Sequence, residues 1–89
     1  MATVFYPAII ERGPDGFGVF FPDLPGCTST GATLQEAAQN ALEALDGHLS
    51  VMLEYGDTVP EPSDTDDIEV DADIDVAAQL LVQGERPPR

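Results

Sequence analysis

Few side chains in this sequence could make or break bonds: one cysteine, Cys27, one histidine, His48, and a set of carboxylates. A cysteine nucleophile needs a base beside it, and no spacing feature sets His48 next to Cys27, which reads as a small semi-buried side chain after the Pro25-Gly26 turn. Metal ligation by His48 calls for a second donor one helical turn away, but the residues four positions off are Ala44 and Met52. Asp71-Ala72-Asp73-Ile74-Asp75 opens like a calcium loop, yet Val76 stands where the turn needs glycine and Val82 where the bidentate glutamate belongs. Glu36, Glu43, Asp46 and Glu54 fall mostly on the polar face of a predicted helix, where water keeps carboxylates ionised and uncoupled. The glycines from Gly13 to Gly18 join two predicted strands and no lysine follows them, which is not a phosphate cradle. The expectation is a protein without catalytic residues, cofactor or metal.

A short series of elements would position these side chains. Thr3 to Ile10, TVFYPAII, predicts a first strand with Val4, Tyr6, Ala8 and Ile10 on one face and Phe5, Pro7 and Ile9 on the other. Pro7 has no amide hydrogen to give, so the strand should meet solvent, a bulge or a strand end there. Arg12 to Gly16, RGPDG, is turn chemistry leading into Phe17 to Phe21, a β-hairpin. Pro25 before Gly26 suits a type II turn, and Cys27 to Gly31 reads as a third antiparallel strand. Thr33 and Glu36 match a capping box, with the Thr33 hydroxyl accepting from the Glu36 amide and the Glu36 carboxylate returning to the Thr33 amide.

A helix should run from there to Tyr55, with Gly56 as its stop. Its apolar stripe would be Leu34, Ala38, Ala41, Leu42, Leu45, Leu49, Met52 and Leu53, weakened at Gly47 by about 1 kcal/mol relative to alanine. Asp57 to Asp75 holds nine carboxylates and no basic residue, which predicts a loop with one short helix capped by Ser63. Val76 to Val82 is apolar enough for a buried strand, with helix as the competing reading, and Gly84 to Arg89 reads as a tail or linker.

The expected fold class is α+β in the order β-β-β-α-β. A right-handed crossover through the helix would set the last strand parallel to a neighbour, beside the first strand. One helix covers one sheet face, so self-association or a partner should cover the rest. With 89 residues the chain supports a single domain and a modest core. Three Lys and Arg against 17 Asp and Glu give a net charge of −14. Such a surface repels phosphate backbones and anionic lipid and attracts basic protein, so neither nucleic acid nor membrane is an expected partner of these residues. Solubility alone could also account for the acidity. The lone Cys27 excludes an internal disulfide, and the start of the chain shows neither a leader pattern nor a membrane span, which makes a cytoplasmic location the expectation.

Four blocks, YPAII from Tyr6, DGFGVFFPDLPGC from Asp15, GATLQEA from Gly31 and GDTVPEPS from Gly56, resemble the HicB family of antitoxins. The phrase PDLPGC followed by a G-x-T-x-x-E-A helix start is more specific than either piece alone. The resemblance implies a partial ribonuclease-H-like layer of three antiparallel strands, one long helix on one sheet face and a final strand beside strand one. It also implies an antitoxin of a type II toxin-antitoxin system, which neutralises a HicA-like toxin, a small basic messenger-RNA-degrading protein, by covering its RNA-binding and catalytic surface. No enzyme activity is expected, because no strand-borne carboxylate cluster is evident that could hold two magnesium ions.

On this reading the carboxylates steer encounter and exclude RNA through complementary potentials. The expected contact residues are Asp23 and Leu24 together with Asp64, Asp66, Asp67, Asp71, Asp73 and Asp75. HicB antitoxins usually continue into a C-terminal domain that binds operator DNA. Residues 1–83 would then be the toxin-binding domain and 84–89 a tail or interrupted linker to an absent DNA-binding domain. Two rivals are a stand-alone HicB-like regulatory or structural oligomer without a toxin, and a degenerate ribonuclease-H-like nuclease motivated by fold alone.

Overall fold

The computed structural model describes residues 2–86. Strand β1 (Ala2–Gly13) turns through a tight hairpin into β2 (Gly16–Phe20), followed by β3 (Thr28–Gly31), helix α1 (Leu34–Tyr55), a 3-10 turn (Thr65–Asp67) and β4 (Val76–Arg86). The four strands form one antiparallel sheet in the order β3-β2-β1-β4. The α+β class and the place of the last strand beside the first are as expected. The tail reading of 84–89 falls partly outside the described residues; within them the strand continues to Arg86, which pairs with Ala2.

The alternation in β1 sorts its side chains as anticipated. Tyr6, Ala8 and Ile10 join Val19, Phe21, Leu24, Cys27 and Val82 in the buried cluster beneath the helix. The ladder with β2 covers only Ile9 to Gly13, so β1 has no β2 partner at Pro7, and the missing amide hydrogen leaves no gap on that side. Pro7 itself is buried and pairs with Leu81, and the register irregularity lies at Ile10/Glu11. Ile9 points away from the helix and is nonetheless 1% exposed, while Phe5 on the same face is 49% exposed. That face is therefore closed around Ile9 and open around Phe5.

Gly26 takes a φ of 89° and Cys27 N–H donates to the Leu24 oxygen at 3.0 Å, the turn that Pro25-Gly26 predicts. At the end of β3 a Cβ on Gly31 would lie 2.3 Å from the Ala37 nitrogen, so only glycine lets the first helical turn sit this close to the strand. The Glu36 amide donates to Thr33 Oγ1 at 3.0 Å, as a capping box requires. The return bond differs from expectation: Glu36 Oε1 accepts from the Ala32 amide at 2.8 Å, one residue before the cap. The helix stops at Gly56, whose N–H donates to the Leu53 oxygen.

The seam against the sheet is narrower than the predicted stripe. Ala37, Ala41, Leu45 and Leu49, an i, i+4 row, are the buried helix residues, with Ala38, Ala44 and Met52 alongside, whereas Leu34, Leu42 and Leu53 are exposed. Small alanines in the first half let the helix approach a β3 end made of glycine, and this leaves the flanking leucines outside the contact.

The orientation of β4 corrects the expected parallel crossover. Helix α1 returns the chain to the far end of the sheet, and a short connection there would make β4 parallel to β1. Residues 57–75 instead carry the chain back to the hairpin end, where Arg12 N–H donates to the Asp75 oxygen at 2.7 Å, and β4 then runs antiparallel to β1. The short helix in this segment is the 3-10 turn with Asp64 at its N-cap position, not one capped by Ser63. β4 is also less buried than a fully apolar strand would be: Val82 is in the core while Gln79, Leu81 and Gln83 are exposed. Among the described residues no helix is long and apolar enough to cross a membrane.

Candidate partner-binding surface

The acidic segment 57–75 has almost no regular structure, so its shape depends on tethers. Near its start the Tyr6 hydroxyl donates to the Pro60 carbonyl oxygen, and Val59 packs on the core. The Asp23 carboxylate accepts twice from Ser63, from its N–H and from its hydroxyl, each at 2.7 Å. In the middle, Asp67 N–H donates to the Asp64 oxygen and Ile68 N–H to the Thr65 oxygen, which closes the 3-10 turn. At its end, Asp71 accepts from the Asp73 amide at 2.9 Å and the Asp75 carboxylate pairs with Arg12 at 2.9 Å.

Between these tethers the side chains sort by polarity. Ile68, Val70 and Ile74 are half-buried, whereas Asp64, Asp66, Asp67, Glu69, Asp71, Asp73 and Asp75 are exposed. Each apolar side chain turned inward sends an adjacent carboxylate outward. The result is a ribbon of negative charge, offset at Asp75 by the exposed Arg12 ion pair, which adds little stability.

The expected contact residues thus divide. The six aspartates expected from Asp64 to Asp75 are all exposed. Asp23 is half-buried and engaged with Ser63, and Leu24 is 2% exposed within the core. These two act on the surface from beneath, by holding the segment and by filling the core under it. Ser63 was read as a helix cap; its role as the partner of Asp23 has no local sequence signal, because the two residues are 40 positions apart. The alternation put Phe5 on one of two sheet faces without saying which stays outside, and the apolar run around Leu81 did not say which of its members would be exposed.

The remaining reactive side chains are dispersed. His48 is half-buried in a groove of about 480 Å³ with Asp23, Met52, Asp57 and Pro60. Cys27 is buried, its thiol directed at the Ala44 carbonyl oxygen at 3.7 Å, and burial pushes its pKa above the ordinary value. Among the described residues no three His, Cys, Asp or Glu are placed to hold a metal ion.

The model of the HicB-like antitoxin of bacterial toxin-antitoxin systems matches residues 6–85. The chain is 32% identical over 78 residues to antitoxin HicB 1 of Photorhabdus laumondii, covering 86% of this chain and 50% of that protein. Its fold is similar to the N-terminal domain of Burkholderia pseudomallei antitoxin HicB, with a TM-score of 0.70 and 28% identity over 88% of this chain and 94% of that one. It is also similar to a chain of a HicA3 and HicB3 toxin-antitoxin complex, with a TM-score of 0.67 and 29% identity over 94% of this chain and 99% of that one. The chain spans about half the length of three of the curated relatives it matches, 44% to 55%. With the family model running from β1 through β4, this chain belongs to the HicB-like antitoxin family of bacterial toxin-antitoxin systems.

Proposed function

We propose that this chain binds and neutralises a HicA-like messenger-RNA-degrading toxin. The observation that carries the proposal is the likeness, across nearly the whole described fold, to a chain of the HicA3 and HicB3 complex. The electrostatics support it independently: a toxin surface that holds RNA phosphates is cationic, and the net charge of −14 with the exposed Asp64, Asp66, Asp67, Asp71, Asp73 and Asp75 supplies the complementary field. The action is occupancy of that surface, without chemistry on the RNA, in the cytoplasm where such a toxin meets messenger RNA. These residues would not bind nucleic acid; operator binding would belong to a further domain outside the toxin-binding unit, which includes β4 through Arg86.

Exposed Phe5 and Leu81 also favour self-association. The second reading, a HicB-like regulatory oligomer without a toxin, rests on this feature alone.

Mixing the purified chain with its cognate toxin is expected to abolish RNA cleavage and give a complex on a sizing column. Replacing Asp66, Asp67 and Asp71 together by asparagine should weaken binding at least about tenfold, chiefly through a slower on-rate. Unchanged cleavage with no complex would reject the proposal.

A further inference from the structure

The two edges of the sheet differ. β3 presents only Thr28–Gly31, whereas β4 presents the eleven residues Val76–Arg86. Proteins normally guard a long edge strand with charge, proline, a bulge or a covering segment, because its unpaired amides and carbonyls invite another strand. In β4 the run from Val76 to Gly84 contains no charged residue and no proline, and its one bulge lies near the start, where Ala77 is the extra residue against Ile10 and Glu11. Among the described residues every backbone ladder bond of β4 goes to β1, and the acidic segment that precedes it is tethered instead to Tyr6, to Asp23 and to Arg12. Among the described residues no further strand pairs with the outer edge of β4, which runs regularly beyond that bulge.

We propose that this edge pairs with β4 of a second copy, antiparallel about a two-fold axis, to give one continuous sheet. This names the surface for the self-association put forward above and rests on that reading. Charge selects the occupant's register. In a chain with 17 carboxylates, Val76 to Gly84 is a strip along which two copies can approach without setting carboxylates face to face. Pairing centred on Leu80 sets Ala78 to Val82 of one copy opposite the same five residues of the other, with the bulge at Ala77 marking each end of the regular ladder. It places Leu81, 59% exposed, opposite the partner's Gln79 on the face that also carries half-exposed Phe5, so the apolar strip of one copy continues into the next. Beyond the bulge Asp75 comes near the partner's Glu85 at each end, a like-charge approach that Arg12 offsets in part.

A ladder this short buries less than large permanent interfaces do, so the dimer is concentration-dependent. Added salt screens the end contacts and the general repulsion, so association tightens as salt rises.

The test is sedimentation equilibrium of the whole chain at about 50 mM and about 500 mM NaCl, with hydrogen exchange of the β4 amides below and above the association midpoint. Expected are a dimer at least about threefold tighter at the higher salt and slowed exchange within Val76 to Gly84 on association. Leu81→Lys should remain folded by circular dichroism, because the side chain is exposed, and weaken association at least about tenfold even though it lowers the net charge. Leu53→Lys, an exposed helix substitution, should leave the dimer intact. A dimer whose β4 amides exchange at the monomer rate, or that tolerates Leu81→Lys, overturns this interface while leaving self-association standing. A monomer under every condition overturns both, and the toxin-binding assay is unaffected by either result.

Discussion

The Cys27 thiol is packed under the helix, directed at the Ala44 carbonyl oxygen, and burial holds its pKa above the ordinary 9.0. The unfolded chain therefore gives up its thiol proton at a lower pH than the folded one. Below about pH 9 both states are protonated and stability is indifferent to this group; above it the unfolded state ionises first and stability falls as pH rises towards the folded value. Urea midpoints measured between pH 8 and 10 should decline for the native chain and decline less for Cys27→Ala, and a thiol-alkylating reagent should label Cys27 only in denaturant. For the lone cysteine the expected small semi-buried side chain was readable from the sequence, and the structure buries it. The roles of Asp23 and Leu24 were not readable. Their motif flagged importance, but the bonds to Ser63 and the burial of Leu24 arise from packing between segments distant in the chain.

At the level of elements, local rules served well where the determinant was local. The first strand and hairpin, the type II turn at Gly26, the Thr33 cap and the Gly56 stop all follow from residue types within a few positions of each other. The direction of β4 does not, because it is decided by how far residues 57–75 travel, and a polar segment without periodicity gives no length of its own. Helix α1 offers a direct test of the local rules. Gly47 is exposed in its interior, and a Cβ placed there meets nothing within 4 Å. Gly47→Ala should therefore stabilise the protein by about 1 kcal/mol, raising the thermal midpoint by roughly 4–8 °C. A lowered midpoint in a thermal melt would mean that the glycine serves a packing role the helix geometry does not reveal.

For the molecule as a whole, charge sets two associations against each other. Binding to a cationic toxin draws on attraction between opposite fields and should weaken as salt rises, with most of the change in the on-rate. Pairing of two chains that each carry −14 works against repulsion and should respond in the opposite sense. Surface-plasmon measurements of toxin binding across a salt series, set beside the sedimentation series, should give slopes of opposite sign. Equal slopes would mean that apolar contact, and not the carboxylate ribbon, governs the toxin complex. The sequence made the sign of the field plain and left its arrangement hidden, because the outward turn of the aspartates depends on Ile68, Val70 and Ile74 finding cover.

The pairing of β1 with β4, Ala2 opposite Arg86, joins the earliest of these four strands to the one made after the other three. On the ribosome the opening hairpin and helix can form while β1 still lacks a neighbour along its whole outer side. The nascent chain thus waits on synthesis through residue 86 before its central strand is enclosed, and a chain stalled within the acidic segment would present that strand bare to the cell's chaperones and proteases.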